Sequence, residues 1–432
     1  MRTATLATAA LVGPGAVLGQ LNQLAKDAGL MYFGTAFSPS DVNDAAYYRI
    51  ESDVRNFGQI TPDNAQKWDA TEPSRGRFTY GAADSIISRA TANKQIMRCH
   101  TLVWYSQLPG WGENTCYVPA ARGIPAMKLT MGFPVSSGSW TKESMTSVME
   151  SHISNVVGHF KGKCYAWDVV NEALEDNGTY RQNPFLRALG DSYFAAAFKK
   201  AAATDPAAKL YYNDYNLEYF PVKADGAVRI AKLVQAAGVP IHGIGLQAHM
   251  TVGRTPTREN LTWTLNKYTA LGLDVAYTEL DVRIKTMPSN ATTLQAQAKE
   301  YEAIVGSCLD VPRCVGITVW GFGDSHSWIP STFPGAGDSN LYDKQARPKP
   351  AYSSVSALLA SASGKRPPWG STPATTLVTS AKPTTATSAT SAKPTASSAT
   401  AAPPAPPAPT SVSSATTEAP AATPAAPTEA AA

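Results

Sequence analysis

Two glutamates carry the clearest chemical signal in the sequence. The run Tyr165-Ala-Trp-Asp-Val-Val leads into Asn171-Glu172, and Val275-Ala-Tyr-Thr leads into Glu279, with Leu280-Asp281 after it. Each Glu follows an apolar run of strand length, so the two can stand at equivalent ends of different strands. A carboxyl pair held in that way suits hydrolysis of a glycosidic bond. One group protonates the leaving oxygen, and the other acts on the anomeric carbon or on water. A single Glu after a strand is as readily explained by the favourable dipole of a helix N-terminus. Two of them, each beside amide or carboxylate side chains, shift the balance to catalysis.

Other polar and aromatic residues gather at the same kind of position. Ile244-Gly-Leu ends in Gln247-Ala-His249. Met97-Arg-Cys leads to His100, with Trp104 shortly after, and Gly316-Ile-Thr-Val ends in Trp320, with Trp328 beyond. The elements that must position these groups are short apolar runs alternating with longer helical patterns. Strands are predicted at 32–36, 58–61, 96–103, 165–170, 209–212, 243–246, 275–278 and 316–319. Helices are predicted at 82–93, 144–160, 193–204, 222–237, 258–271 and 294–308. Eight such strands with helical patterns between them imply an α/β fold, a (β/α)8 TIM barrel, with a doubly wound sheet as the alternative. In a barrel the C-terminal strand ends share one face, which is where the polar residues fall.

The rest of the chain sets the context. Its 432 residues are 44% apolar, enough for a large core, and the net charge is only +4. No basic run suggests nucleic acid, and no extended acidic partner is implied. Nine Trp and eighteen Tyr leave aromatic rings to spare for a sugar-binding cleft. Arg2 followed by the apolar run Ala4 to Leu18 reads as a signal peptide over 1–19, so the mature protein is expected to be secreted. No later run approaches the roughly 20 apolar residues of a membrane span. Three glycosylation sequons, at Asn177, Asn260 and Asn290, fit that route.

Five cysteines leave at least one outside any intrachain pair. Cys308 and Cys314 flank the turn-like Asp310-Val-Pro-Arg, which predicts a short-loop disulfide; the spacing does not suit zinc. The pairing of Cys99, Cys116 and Cys164 is open, Cys116 with Cys164 being one option. The remaining histidines show no ligand spacing and no glycine-rich phosphate loop occurs, so neither a metal nor a cofactor is expected. From Ser371 onward there is no aromatic residue and no glycine, and Thr-Ser-Ala-Lys-Pro-Thr occurs twice. Such a segment cannot bury enough apolar surface to fold. The expected organisation is a signal peptide at 1–19, a catalytic domain at 20–365 and a disordered, O-glycosylated Ala/Ser/Thr/Pro-rich tail at 366–432, with no folded binding module.

Trp167-Asp-Val-Val-Asn-Glu172-Ala-Leu174 resembles the acid/base signature of family 10 glycoside hydrolases, the endo-β-1,4-xylanases, and Thr278-Glu279-Leu-Asp281 resembles their nucleophile segment. Ile60 to Trp68, His100-Thr-Leu-Val-Trp104 and Trp320 to Trp328 resemble their substrate-binding strand ends, all in the family's order from about Leu24 to Leu359. The resemblance implies Glu172 as acid/base and Glu279 as nucleophile in a retaining reaction, with carboxyl groups about 5–5.5 Å apart. It implies that Asn171 binds the 2-hydroxyl of the cleaved sugar, and that His249 and Asp281 hold Glu279 ionised and oriented. It places Gln247, His100 and Trp104 at the cleaved sugar, and Asn64 and Lys67 at the next sugar toward the non-reducing end. Trp320 and Trp328 become walls of the cleft, and Tyr215 serves the leaving-group side.

Three positions depart from the family pattern. Asp63 replaces Glu, so a sugar contact there is expected to be shorter or to run through water. Tyr105 replaces His and Cys99 replaces Gly. The stretch from Gly112 to Trp140 is longer than usual. The implied substrate is xylan and the implied state a monomer. A glucanase or mannanase on the same barrel, or a non-catalytic cell-wall binding protein, are the alternatives.

Overall fold

The computed structural model describes residues 20–111, 116–118, 127–129 and 140–371, the last two short pieces as backbone strands only. All of them lie in the unit Met1–Ala374, one of two into which the chain divides. The expected signal segment, the tail beyond 371 and most of the 112–140 loop lie outside the described residues.

Eight parallel strands close into a barrel. They are β1 (Tyr32–Phe37), β2 (Gln59–Pro62), β3 (Ile96–Trp104), β4 (Ala166–Asn171), β5 (Lys209–Asp214), β6 (Gly243–Leu246), β7 (Asp274–Arg283) and β8 (Cys314–Val319). Each pairs with its sequence neighbours, and β8 pairs with both β7 and β1, which completes the ring. All eight predicted strands are present. They are legible because a strand covered on both faces reads as a continuous apolar run. In β1, β2, β4, β6 and β8 every residue is buried.

The six predicted helices also form, with ends shifted by up to three residues. The helix Ala291–Asp310 starts earlier than its apolar pattern because Asn290 and Thr293 make a reciprocal capping box. Short helices at Leu21–Asp27 and Ala45–Glu51 and the closing helix Pro350–Ala362 were not anticipated. The first and last of these pack on each other and bring the two ends of the domain together.

The strand register sets the site. Pairing of β3 with β4 places Trp104 beside Asn171, pairing of β4 with β5 places Asn171 beside Asn213, and β6 brings Leu246 beside Tyr277 of β7. A short strand, His249–Thr251, continues from β6 and pairs with the end of β7, His249 beside Asp281. Gly245 is small for a reason, since a Cβ there would overlap Asn213 Oδ1.

Cys308 and Cys314 form the predicted disulfide. Cys164 pairs with Cys99, not Cys116. The sequence shows no such link, because only the β3–β4 register brings residues 65 positions apart together. Asn177, Asn260 and Asn290 are all exposed. No described helix is long and apolar enough to cross a membrane.

Candidate active site

Glu172 sits one residue past β4, in a left-handed backbone conformation with φ 53°. That geometry is costly for a non-glycine residue and persists only where the surroundings impose it. Here its N–H donates to Asn213 O at 2.9 Å, and its carbonyl accepts from Arg181 Nε at 3.1 Å. The side chain is buried. Its Oε1 accepts from Gln247 Nε2 at 2.9 Å and from Asn171 Nδ2 at 3.3 Å. Both of these donors are neutral amides.

Glu279, on β7, is held by different chemistry. Its Oε1 accepts from Asn213 Nδ2 at 2.9 Å, and its Oε2 lies 3.2 Å from His249 Nε2. The other ring nitrogen of His249 is 3.0 Å from Asp281 Oδ2, which also accepts from Trp328 Nε1 at 2.8 Å. Burial alone would lower the His249 pKa, but Asp281 and Glu279 outweigh it and push it up to about 10. The imidazolium can therefore donate to both carboxylates. Burial alone would raise Glu279, yet the His249 hydrogen bond and the charges of His100 and His249 hold it below its ordinary value. Its ionised form is thus favoured.

One amide joins the two halves. Asn213 Nδ2 donates to Asn171 Oδ1 at 2.9 Å as well as to Glu279, while its own Oδ1 accepts from Thr278 Oγ1 at 2.7 Å. The direction of the Asn213 amide is thereby fixed, and through it that of Asn171.

His100 stands on the far side. Its Nδ1 is 3.0 Å from Asp168 Oδ2, and Asp168 is forked to the fully buried Arg98 at 3.2 and 2.5 Å. Burial would raise Asp168, but Arg98 and His100 hold it low. This charged stack fills the barrel interior beneath the site. Trp320 packs edge-on to His100 at 5.8 Å and Trp328 edge-on to His249 at 4.9 Å.

Beyond Trp104, Lys67 Nζ donates to Asn64 Oδ1 at 2.7 Å and lies 4.9 Å over the Trp104 ring. The loop that carries them is pinned by Trp68, which stacks on His152 at 3.7 Å and donates to Glu72. Asp63 does not reach forward. Its Oδ2 accepts from Ser38 Oγ at 2.9 Å and Asn64 Nδ2 at 3.0 Å. Tyr215, after β5, accepts from Arg181 at 2.5 Å, and Lys223 lies 3.5 Å over its ring.

Several residues that hold the site have no signal in the sequence. Arg181 stacks on Tyr105 at 4.4 Å while clamping Glu172, Leu174 and Tyr215. Glu218 accepts from Ala248 N at 2.8 Å and fixes the left-handed turn, φ 59°, that aims His249. Buried Lys223 bridges Asp214 and Asp176 at 3.2 and 3.1 Å. Each depends on contacts between distant loops. Among the described residues no group of three His, Cys, Asp or Glu side chains could hold a metal ion.

Residues 20–358 match the sequence family described as Glycosyl hydrolase family 10. The chain is 50% identical over 361 residues to "Endo-1,4-beta-xylanase 1" of Humicola insolens, covering 83% of this chain and 79% of that protein. It is 47% identical over 347 residues to "Endo-1,4-beta-xylanase 5" of Pyricularia oryzae, covering 80% of each. Among solved structures it resembles the Penicillium canescens endo-1,4-beta-xylanase XylE, with a TM-score of 0.71 and 36% identity over 79% of this chain and 98% of that one. A family 10 xylanase from Bispora sp. MEY-1, solved with xylobiose, also gives a TM-score of 0.71 at 36% identity over 78% of this chain and 99% of that one. The chain belongs to glycosyl hydrolase family 10.

Proposed function

We propose that this protein is an endo-1,4-β-xylanase that cleaves xylan with retention of anomeric configuration. The observation that carries the reading is the unequal treatment of two buried carboxyl groups. Glu279 faces an imidazolium, whereas Glu172 faces only amides. Environments that differ in this way separate a nucleophile from an acid.

In the first step a Glu279 oxygen forms a bond to the anomeric carbon as the glycosidic C–O bond breaks. The Glu172 proton goes to the leaving oxygen. In the second step Glu172 takes a proton from water, whose oxygen attacks the same carbon and expels Glu279. Asn171 receives the 2-hydroxyl, and Asn213 sets its direction. His249 and Asp281 keep Glu279 ionised. His100, Gln247 and Trp104 surround the cleaved sugar, Asn64 and Lys67 hold the next one, and Trp320 and Trp328 cover the sugar faces. Tyr215 supports the leaving-group side. Asp63, turned to Ser38, acts through Asn64.

The family and the names of its relatives support xylan as substrate. We further propose that 1–19 is removed on export and that the protein acts outside the cell as a monomer. In this reading 20–365 is the catalytic domain, the Ala/Ser/Thr/Pro-rich stretch 366–432 carries O-linked glycans, and Asn177, Asn260 and Asn290 are glycan acceptors. The deciding experiment is reducing-sugar release from β-1,4-xylan and carboxymethyl-cellulose by the protein and its Glu279→Ala variant. Release from xylan, lost in the variant, is expected. Release from cellulose alone, or none from a folded protein, would overturn the proposal.

A further inference from the structure

The helix Arg258–Thr269 buries Leu261, Thr264, Leu265 and Tyr268, one face of an amphipathic helix laid on the domain. Its outer face carries Trp263, which is 54% exposed. Leaving an indole in water forgoes the stabilisation that covering so large an apolar ring would bring. The ring is also held still. Lys267 Nζ lies 4.5 Å over it and is itself tied to Asp225 Oδ1 at 2.5 Å. Attraction between the ammonium and the ring face fixes the indole without hiding it.

Asn260 stands one helical turn before Trp263 and is exposed. Side chains three positions apart are neighbours on a helix surface, and a long side chain leans toward the N-terminal end of its helix. That lean brings Lys267 onto Trp263 and directs Trp263 toward the turn of Asn260. Glu259, four positions before the indole, is hydrogen-bonded to the Thr257 side chain. Asn260 opens the sequon Asn-Leu-Thr. Its N–H donates to Thr257 Oγ1 at 3.4 Å, but among the described residues its side-chain amide has no partner. The other two sequon amides are engaged. Asn177 Oδ1 accepts from Thr179 Oγ1 at 2.7 Å, and Asn290 Oδ1 accepts from Thr293 N at 2.9 Å.

We infer that Asn260 carries an N-linked glycan whose first N-acetylglucosamine lies on the indole of Trp263. The inference rests on the proposed glycosylation of Asn260 and goes beyond it by giving the sugar a fixed seat. The link forms between Asn260 Nδ2 and C1 of the sugar. The diphosphate of a lipid-linked oligosaccharide donor leaves from C1, and the amide gives up one proton. A pyranose presents C–H groups on its faces and hydroxyls at its rim. It therefore covers the ring while its polar groups stay in water, with little desolvation cost. Because Lys267 already holds the indole, little further side-chain entropy is lost. The seat is on a helix outside the strand ends that carry Glu172 and Glu279, so turnover of soluble xylo-oligosaccharides should not change.

The test is the rate at which hydroxyl radicals oxidise Trp263, read peptide by peptide in a mass spectrometer. The protein secreted by a fungal host is compared in three forms. The first keeps its glycans, the second is trimmed by an endoglycosidase that leaves only the first sugar, and the third is stripped by an amidase that leaves Asp. Trp263 should react equally slowly in the first two and about 2-fold faster in the third, as one face of the ring is uncovered. The Asn260→Gln variant should match the third form, which removes the added charge as the cause. Stripping should also lower the melting temperature by about 1–2 °C in the parent and not in Trp263→Ala. One rate in all three forms, with Asn260 occupied, overturns the seat and leaves the glycosylation reading standing. A rise already on trimming overturns it too, because the outer sugars would then be the cover. An unoccupied Asn260 in the peptide masses overturns both. Protection of Trp263 by added linear xylan in Asn260→Gln, with none from the first sugar in the parent, would make the ring a polymer-binding platform instead.

Discussion

His249 and Glu279 meet across two strands, with the ring Nε2 of one 3.2 Å from the carboxylate Oε2 of the other. Asp281 holds the opposite ring nitrogen at 3.0 Å, so the imidazole cannot turn away. The three residues form a line in which a central cation is shared by two anions. Its effect is to favour an ionised Glu279 in a buried place, where desolvation alone would favour the neutral acid.

Removing that cation should expose the desolvation. The His249→Asn variant is expected to move the acid limb of the kcat/KM profile to higher pH and to lower the maximum by about 100-fold, the scale of a lost electrostatic contact in an active site. An aryl xylobioside assay across pH measures both. Stability follows the same linkage. The His249 pKa is raised from 6.5 to about 10, so its contribution is complete below 6.5 and is lost as pH rises through about 10. The Glu279 pKa is lowered from 4.5, so its contribution is present above 4.5 and lost as pH falls through the lower folded value. The melting-temperature gap between wild type and His249→Asn should therefore narrow between pH 7 and 10. A gap that stays constant, with an unmoved acid limb, would count against the network.

Glu172 makes a different prediction because its task depends on the leaving group. Glu172→Ala should lose most activity on xylan, about 100-fold or more, since general acid catalysis contributes on that scale. On an aryl glycoside whose leaving group needs no proton, the first step should proceed almost normally and the second should become limiting. Pre-steady-state kinetics would show this as a burst of released phenol. Added azide should then take the place of the water that Glu172 no longer activates, giving a glycosyl azide of retained configuration. Equal losses on both substrates, with no burst, would mean that Glu172 is not the acid.

The barrel and its carboxylates were legible for the same physical reason. Strands buried on both faces are mostly apolar, so polar residues gathered at the end of each run mark one face of the barrel. Glu172, Gln247, His249 and Glu279 all stand out in that way. The supporting residues do not. Arg98 and Asp168 lie inside apolar strands, and nothing local distinguishes a buried ion pair from two surface charges until β3 and β4 are in register. Arg181 lies in a polar loop and acts on a carbonyl nine positions back, and Glu218 caps a turn thirty positions ahead. Helix Leu21–Asp27 was missed because seven residues give too few turns for periodicity to register.

The two disulfides should differ in what they contribute. Cys99–Cys164 closes a separation of 65 residues and Cys308–Cys314 one of only 6. Loop-closure entropy of the unfolded chain gives about 4 kcal/mol for the first and about 2 kcal/mol for the second. Replacing Cys99 and Cys164 by Ala should therefore lower the denaturation midpoint more than replacing Cys308 and Cys314. The long link also ties β3, which carries His100, to the segment that enters β4 and leads to Glu172, so its loss should lower activity near the melting range first. Urea titration of both double variants checks the order, and a larger effect from the short loop would refute it.

Arg181 holds the backbone on both sides of Glu172's turn. Its Nε holds the Glu172 carbonyl at 3.1 Å, one terminal nitrogen holds the Leu174 carbonyl at 3.1 Å, and the guanidinium lies 4.4 Å over the Tyr105 ring. Three contacts of this kind need a planar fork, and Lys keeps the charge while losing the fork. In Arg181→Lys the left-handed turn at Glu172 is held by fewer bonds, and the acid should drift from the leaving oxygen. A misplacement of about 1 Å can cost on the order of 100-fold. The loss should fall on kcat for xylan, with little change in KM. It should be much smaller for aryl glycosides that leave without a proton. A general loss of folding would instead reduce both substrates alike, so the split between them identifies Arg181 as the residue that positions the acid.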